Sequence, residues 1–303
     1  MRTVVLAPTM QTKNDIEQLL TQAGTSPRKR FGQHFLIDLN LMRLLVDAAQ
    51  VGPDDVVLEV GCGTGSLTEA LARRAGFVVG VEVDQALAPI AAAQVADKAN
   101  VCLITGDVLE SKHHLHAQVL EAISQARRVY AGRLVLAANL PYGVASPVMI
   151  NLMVGPVLAD AMVVTVQREV ADRMLAVPGT KDYGLLSILL QSLGRVDLLR
   201  VLKPTVFWPK PQVDSAMVGF VRDPDKARRI AEAHLLVQVI DLFMGHRRKM
   251  LKAIAKSTQG RFAHVTDWLS LFVACDINPT CRPEQIGPDA YVALANAVRD
   301  RLD

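Results

Sequence analysis

Val56-Val57-Leu58-Glu59-Val60 runs directly into Gly61-Cys62-Gly63-Thr64-Gly65, and a helical pattern begins at Ser66. A short, nearly continuous apolar run reads as a strand buried on both faces. Strand, glycine turn and helix in immediate succession open a parallel α/β unit, which must be covered by helices on both sides of its sheet. Similar runs recur at Phe77–Val83, Asn100–Thr105, Leu134–Ala138, Ala161–Val166, Val196–Leu202 and Ser215–Val221. The fold class they predict is α/β, a Rossmann-like sheet. Ligands of such sheets bind beyond the carboxyl ends of the strands.

The glycines at 61, 63 and 65 let the backbone pass close to a ligand, and the helix start at Ser66 offers unpaired N–H groups. A dinucleotide fingerprint wants glycine at position 66, where this chain has serine. Glu59, just ahead of the loop, would repel a pyrophosphate and welcome a cation. The pattern therefore favours a sulfonium-bearing nucleoside such as S-adenosylmethionine over NAD. Acids follow at the ends of the next two strands. Glu82 is placed to take ribose hydroxyls, Asp84 suits a helix cap, and Asp107 can accept from an adenine amine.

The fourth run ends in Asn139-Leu140-Pro141-Tyr142. An amide oxygen and nearby backbone carbonyls can accept from an exocyclic amine, while an aromatic ring can stack on a base. The alternative is a strand that stops at a proline turn with Asn139 capping it. Phe207-Trp208, in a proline-stiffened loop, offers either core filling or a second stacking platform.

Residues 1–25 read as an N-terminal tail or loose helix. Arg28-Lys29-Arg30 then precedes the aromatic-flanked Phe31–Leu36, a segment suited to a lid. Asp38 is expected to cap a helix through Ala49, with Leu41, Leu44, Leu45 and Ala48 on its inner face. His113, His114 and His116 lack accompanying Cys or acid ligands, so no metal site is expected. The four cysteines form no CxxC pair, which suits reduced thiols in the cytoplasm. No apolar run approaches the roughly 20 residues of a membrane span.

Asp223-Pro224-Asp225 reads as a linker, after which strand signals fade. The expected division is a catalytic domain over 26–222 and a helical domain over 223–303. Between Lys226 and Arg261, nine Lys or Arg face only Glu232 and Asp241, although the whole chain is only +3. A localised basic patch is the footprint of a phosphate backbone. Arg247-Arg248-Lys249 is expected on an amphipathic helix, Val239–Lys256, with Met250 among its core residues.

Lys29–Leu36, Glu59–Gly65, Glu82-Val83-Asp84, Gly106-Asp107, Asn139–Tyr142, Gln167–Ala171, Tyr183–Ser187, Phe207–Ser215 and Arg247–Lys249 together resemble the rRNA adenine N6-dimethyltransferases. The likeness is greatest to the housekeeping branch acting on small-subunit rRNA, and it covers residues 26 to 260 in family order. It implies a class I methyltransferase sheet and a small helical C-terminal domain. It also implies S-adenosylmethionine as cofactor, contacted at His34, Leu36, Gly61, Glu82, Asp107 and Asn139. The position of His34 usually holds Asn in that family. By the same likeness the target is two adjacent adenines near the 3′ end of the small-subunit rRNA, free or in an assembling particle; nothing in the sequence demands a dimer, so a monomer is expected. Tyr142 and Phe207 would enclose the target base, and Arg28, Lys29, Arg30, Arg247, Arg248 and Lys249 would meet the RNA. Two other readings stay open: a resistance-type methylase of large-subunit rRNA, and a non-catalytic ribosome-assembly factor on the same fold. Leu140, where the resistance branch commonly has Ile, argues against the first. The complete Glu82, Asp107 and Asn139 set argues against the second.

Overall fold

The computed structural model describes residues 10–302, apart from the side chain of Lys29. Seven strands form the central sheet. They are β1 (Val56–Val60), β2 (Phe77–Glu82), β3 (Val101–Thr105), β4 (Leu134–Asn139), β5 (Ala161–Gln167), β6 (Gly194–Leu202) and β7 (Ser215–Arg222). Their order across the sheet is 3-2-1-4-5-7-6, and the ladders from β3 through β5 are parallel. Every residue of β1 is buried, as are all of β2 but Phe77, all of β4 but Asn139 and all of β5 but Gln167. This is why the strands were readable as apolar runs.

The chain divides into two compact units, one running to Ala171 with Asp197–Phe220 added, the other comprising Asp172–Val196 and Val221–Asp303. The second unit thus takes in residues 172–196, which the sequence reading assigned to the sheet domain. The helix Leu185–Leu193 is buried over seven of its residues and needs cover on nearly every side. Within that unit Tyr183 donates its hydroxyl to the Ile286 carbonyl at 2.8 Å. Tyr291 does the same to Pro283 at 2.9 Å. Phe243 meets Trp268 edge-on, with ring centroids 5.3 Å apart.

In the first unit, helix α1 (Lys13–Gln22) occupies part of the expected tail. Residues 1–9 of that tail lie outside the described residues. Thr12 and Asp15 form a reciprocal capping box, and Ile16 and Leu20 are buried. Helix α2 (Leu39–Ala49) is capped by Asp38, whose carboxylate accepts from the Asn40 and Leu41 amides. Its buried face is Met42, Leu45, Val46 and Ala49, whereas Leu44 is exposed. The inner stripe is therefore shifted from the leucine-based expectation: Leu45 is buried and Leu41 and Ala48 pack partly buried against the core as expected, but Met42 and Val46 join them and Leu44 faces out. Helix α3 (Ser66–Ala72) follows the glycine turn and is buried along its whole length.

The expected helix over Val239–Lys256 is broken. One helix ends at Met244 with Gly245 as its cap, and another starts at Leu251. Glycine weakens a helix, the His246 and Arg247 amides bond back to the Phe243 and Met244 carbonyls in a turn, and the Leu251 and Lys252 amides that open the next helix go to the Cys281 and Pro279 carbonyls at 3.0 and 2.9 Å. Arg247–Lys249 therefore lies in a turn, and Met250 is 48% exposed rather than in the core. Among the described residues, no helix is long and apolar enough to cross a membrane.

Candidate active site

The carboxyl ends of β1, β2 and β4 converge on a cleft holding about 870 Å³ of open space. Glu59, Gly61, Glu82 and Asn139 line it from the sheet, and His34 and Tyr142 from the loops above. A second hollow of about 660 Å³ is bordered by Arg30, Phe31, Gly61, Asp107 and Tyr142.

Gly61 has φ +80°, and a Cβ there would stand 2.9 Å from the Pro141 ring. Glycine is thus required twice over, by conformation and by the closeness of the Asn139–Tyr142 corner. The acids of the cleft are buried. Glu82 accepts from the Gly63 amide at 2.7 Å and from the Asp84 amide at 2.9 Å. Burial raises its carboxyl above the ordinary carboxylate range, with the charge of Asp84 adding to the effect. Glu59 is 1% exposed, and its Oε2 has no hydrogen-bond partner among the described residues. Burial, aided by the charge of Glu82, pushes the Glu59 carboxyl up to about 8. An isolated carboxyl held this way is neutral near pH 7 unless a cation is brought to it. Asp107 lies exposed at the end of β3 and caps its own turn through the Leu109 amide, 2.9 Å away.

Asn139 sits at the last position of β4, in register with Thr165 of β5. Its Nδ2 donates to the His34 carbonyl at 2.8 Å, and its Oδ1 accepts from the Thr165 hydroxyl. The Leu140 amide donates to the Thr165 carbonyl at 3.0 Å. Leu140 itself is buried and lines the cleft. The Tyr142 hydroxyl lies 3.3 Å from Ser215 Oγ, and burial raises the phenol above its ordinary value. One approach to the Tyr142 ring is occupied by the His34 imidazole, at a centroid distance of 5.1 Å. The His34 Nδ1 is itself 2.6 Å from the Pro209 carbonyl.

Phe35-Leu36 pairs antiparallel with Phe207-Trp208, which fixes the lid to the proline-stiffened loop. Phe207 is 4% exposed and belongs to the main core with Leu36 and Met42, one edge reaching the cleft. Both readings of that ring, core filler and cleft wall, therefore apply.

Three features of the cleft were not read from the sequence. Asp84 does not cap helix Ala88–Gln94; it accepts from Arg28 at 3.0 Å, Gln33 at 2.8 Å and the Ala86 amide at 3.0 Å. The Arg28 charge, expected to face RNA, thus reaches a buried acid under the lid. Ile16 of α1 lines the cleft, and Gln11 ahead of it bonds Thr64, Ser66 and Gln94 behind the glycine turn. Thr165 is the third. Only a capping pattern at Thr12 and Asp15 could have flagged α1; the other two ties depend on distant strands.

In the second unit the cations divide into two groups. Lys226, Arg228, Arg229, Arg247 and Arg261 all bond protein groups. Arg247 contacts Glu284 and the Lys181 carbonyl, each at 2.8 Å. Arg248, Lys249, Lys252 and Lys256 are exposed. His113, His114 and His116 form a hairpin and a helix cap, and the described residues contain no metal-ligating group of three.

Comparison with known proteins agrees with this arrangement. Residues 24–270 match the family model for ribosomal RNA adenine dimethylase. The chain is 36% identical to ribosomal RNA small subunit methyltransferase A of Geobacillus kaustophilus over 95% of its length and 96% of that protein's. It is 34% identical to the protein of the same name from Bacillus cytotoxicus, with the same coverage. A solved dimethyladenosine transferase from Plasmodium falciparum superposes with TM-score 0.69 at 21% identity, covering 89% of this chain and 98% of that one. The 23S rRNA methyltransferase ErmE superposes with TM-score 0.59 at 20% identity, over 88% and 99%. At those identities the structural matches speak for the fold, and the sequence matches for the lineage: the chain belongs to the ribosomal RNA adenine dimethylase family.

Proposed function

We propose that this protein transfers methyl groups from S-adenosylmethionine to N6 of two adjacent adenines near the 3′ end of small-subunit rRNA, producing dimethyladenines. The observation that carries the chemistry is the Asn139–Tyr142 corner at the end of β4, set over a cleft lined by a buried carboxyl with one unpartnered oxygen among the described residues. The names borne by the relatives in Geobacillus and Bacillus support the small-subunit target over the large-subunit one.

The residues present fit the cofactor. Glu59 lines the cleft with a buried carboxyl whose Oε2 has no hydrogen-bond partner among the described residues, an acceptor suited to a cationic centre. Gly61 and Gly63 bring main chain to the cleft without side chains, Glu82 serves the ribose, and Asp107 the adenine. His34 and Leu36 close the lid side. S-adenosylmethionine, when bound, supplies an electrophilic methyl on a sulfonium.

The amine of adenine is a weak nucleophile because its lone pair is delocalised into the ring. Asn139 Oδ1 and the Leu140 carbonyl would accept its two hydrogens, favouring a pyramidal nitrogen with a directed lone pair. Tyr142 would stack on the base, with Phe207 at the cleft wall. Orientation and preorganised acceptors carry the barrier reduction. The adenine must leave its stack to enter. Arg30 beside the cleft and the exposed Arg248 and Lys249 would meet phosphates, and Lys29 belongs to the same basic segment as Arg30. An rRNA substrate supports a cytoplasmic location, and a monomer suffices for these roles.

The test is to incubate the protein with labelled S-adenosylmethionine and undermethylated small ribosomal subunits, and then map the label. Dimethyladenine at two adjacent positions near the 3′ end of the small-subunit rRNA is expected. Label in large-subunit rRNA, or none, would overturn the proposal.

A further inference from the structure

Thr165 makes two contacts with the corner that the proposed reaction uses. Its carbonyl accepts the Leu140 amide at 3.0 Å, and its hydroxyl donates to Asn139 Oδ1. It is 1% exposed and stands beside Asn139 in the β4–β5 ladder. Strand β5 thus carries, at one residue, a hydroxyl bound to the Asn139 side-chain oxygen and a carbonyl bound to the peptide that joins Asn139 to Leu140.

The orientation of the carboxamide follows from donor and acceptor chemistry. A main-chain carbonyl only accepts, so the group facing His34 must be the amide NH₂. Oδ1 is then left facing Thr165, whose hydroxyl must donate. That bond takes one of the two lone pairs of Oδ1 and leaves the other for a single incoming N–H. A hydrogen-bond acceptor held by a buried neighbour in this way keeps its direction through the reaction instead of rotating with the substrate.

Resting on the reading of Asn139 as an amine acceptor, we propose that Thr165 is a positioning residue for methyl transfer, its hydroxyl holding the Asn139 oxygen in the geometry that receives the adenine amine while its carbonyl anchors the Asn139–Leu140 peptide. It does not touch the base. Its influence is greatest on the second transfer. A monomethylated amine has one hydrogen left and depends on one acceptor rather than two.

The experiment uses the full-length protein with undermethylated small subunits and compares Thr165→Val, Thr165→Ser and Asn139→Ala. Valine keeps the shape and strand preference of threonine and removes only the hydroxyl. Thr165→Val is expected to lower kcat about fivefold to tenfold, with KM for the subunits and Kd for the cofactor within about twofold of the parent, as befits one buried hydrogen bond. Its product is expected to be enriched in monomethyladenine. Thr165→Ser keeps the hydroxyl and is expected to retain most of kcat. In the Asn139→Ala background, Thr165→Val should cost no more than about twofold, because the bond it removes is already gone. A Thr165→Val enzyme with parental kcat, alongside an Asn139→Ala slowed by about tenfold or more, overturns the role of Thr165 and leaves that of Asn139 standing. Serine as slow as valine, or a cofactor Kd weakened in step with kcat, also overturns it. A near-normal Asn139→Ala would remove both roles together.

Discussion

Arg28 and Asp84, fifty-six positions apart, form an ion pair of 3.0 Å in which the carboxylate side chain is only 1% exposed. Gln33 joins the same carboxylate at 2.8 Å, so the segment from Arg28 to Gln33 is bound at both ends to the turn after β2. The lid over the cleft is thereby held by a side chain that looks, in the sequence, like an ordinary helix cap. Removing the acid leaves a cation and an amide facing an apolar gap. With the Arg28 side chain 40% exposed, water offsets part of that loss. Asp84→Ala is expected to cost about 1–3 kcal/mol in denaturant unfolding. It should also speed amide exchange selectively over residues 28–36. Unchanged exchange in that stretch would show that the ribbon with Phe207-Trp208 holds the lid alone.

Glu59 gives the fold a specific pH dependence. Its carboxyl moves from an ordinary 4.5 to about 8 in the folded protein, chiefly through burial. Between those values the unfolded chain releases the proton while the folded chain keeps it. Stability contributed by this group is therefore highest at low pH and falls as pH rises toward 8. Glu59→Gln should flatten the profile and raise stability at pH 8 by on the order of a few kcal/mol, with little change near pH 5. A cationic ligand reverses the balance by favouring the ionised form. The preference of the parent protein for S-adenosylmethionine over its neutral thioether product is expected to grow from pH 6 to pH 8, and to lose that growth in Glu59→Gln. Calorimetry at the two pH values measures both.

Helix α1 is a wall of the cleft, and its loss should show in ligand binding. Ile16 is 2% exposed and packs with Leu20 and Leu87, while also facing the cleft. Ile16→Ala is expected to destabilise the protein by about 2–4 kcal/mol and to weaken cofactor binding severalfold. Normal affinity in a folded variant would make the helix a brace for the core alone.

The centre of the sheet was legible because β1, β2, β4 and β5 are buried on both faces, and such strands announce themselves as apolar runs regardless of what surrounds them. The acids at the ends of β2 and β3 and the carboxamide at the end of β4 were legible for the same reason, since a polar residue closing an apolar run is conspicuous. Features set by partners far along the chain were not. Thr165 is one more residue of β5 until Asn139 lies beside it, and Asp84 can be assigned to the lid only once Arg28 and Gln33 arrive. The stripe on α2 was misread because the leucines were followed and Met42 and Val46 were not. α1 reads only as a tail or loose helix because Ile16 and Leu20 are two apolar residues among polar ones. They matter only when Leu87 and Ile90 come to meet them.

The basic segment of the second unit separates into residues that hold the fold and residues that face solvent, and mutation can tell them apart. Arg247 spends its guanidinium on Glu284 and on the carbonyls of Lys181 and Thr180. Arg248, adjacent in sequence, is exposed in the turn between two helices. Arg247→Ala is expected to cost about 1–3 kcal/mol of stability, because the carboxylate and carbonyls lose a shared donor. Its effect on the salt dependence of RNA binding should be small. Arg248→Glu should do the opposite, leaving the melting temperature nearly unchanged while weakening RNA binding at low salt. If Arg248 meets one phosphate, the slope of log K against log salt should fall by about one unit on its loss. Filter binding at four salt concentrations, with thermal melts of the same preparations, distinguishes the two. A slope that responds to Arg247 and ignores Arg248 would reassign the phosphate contact to the residue that the fold uses as a clamp.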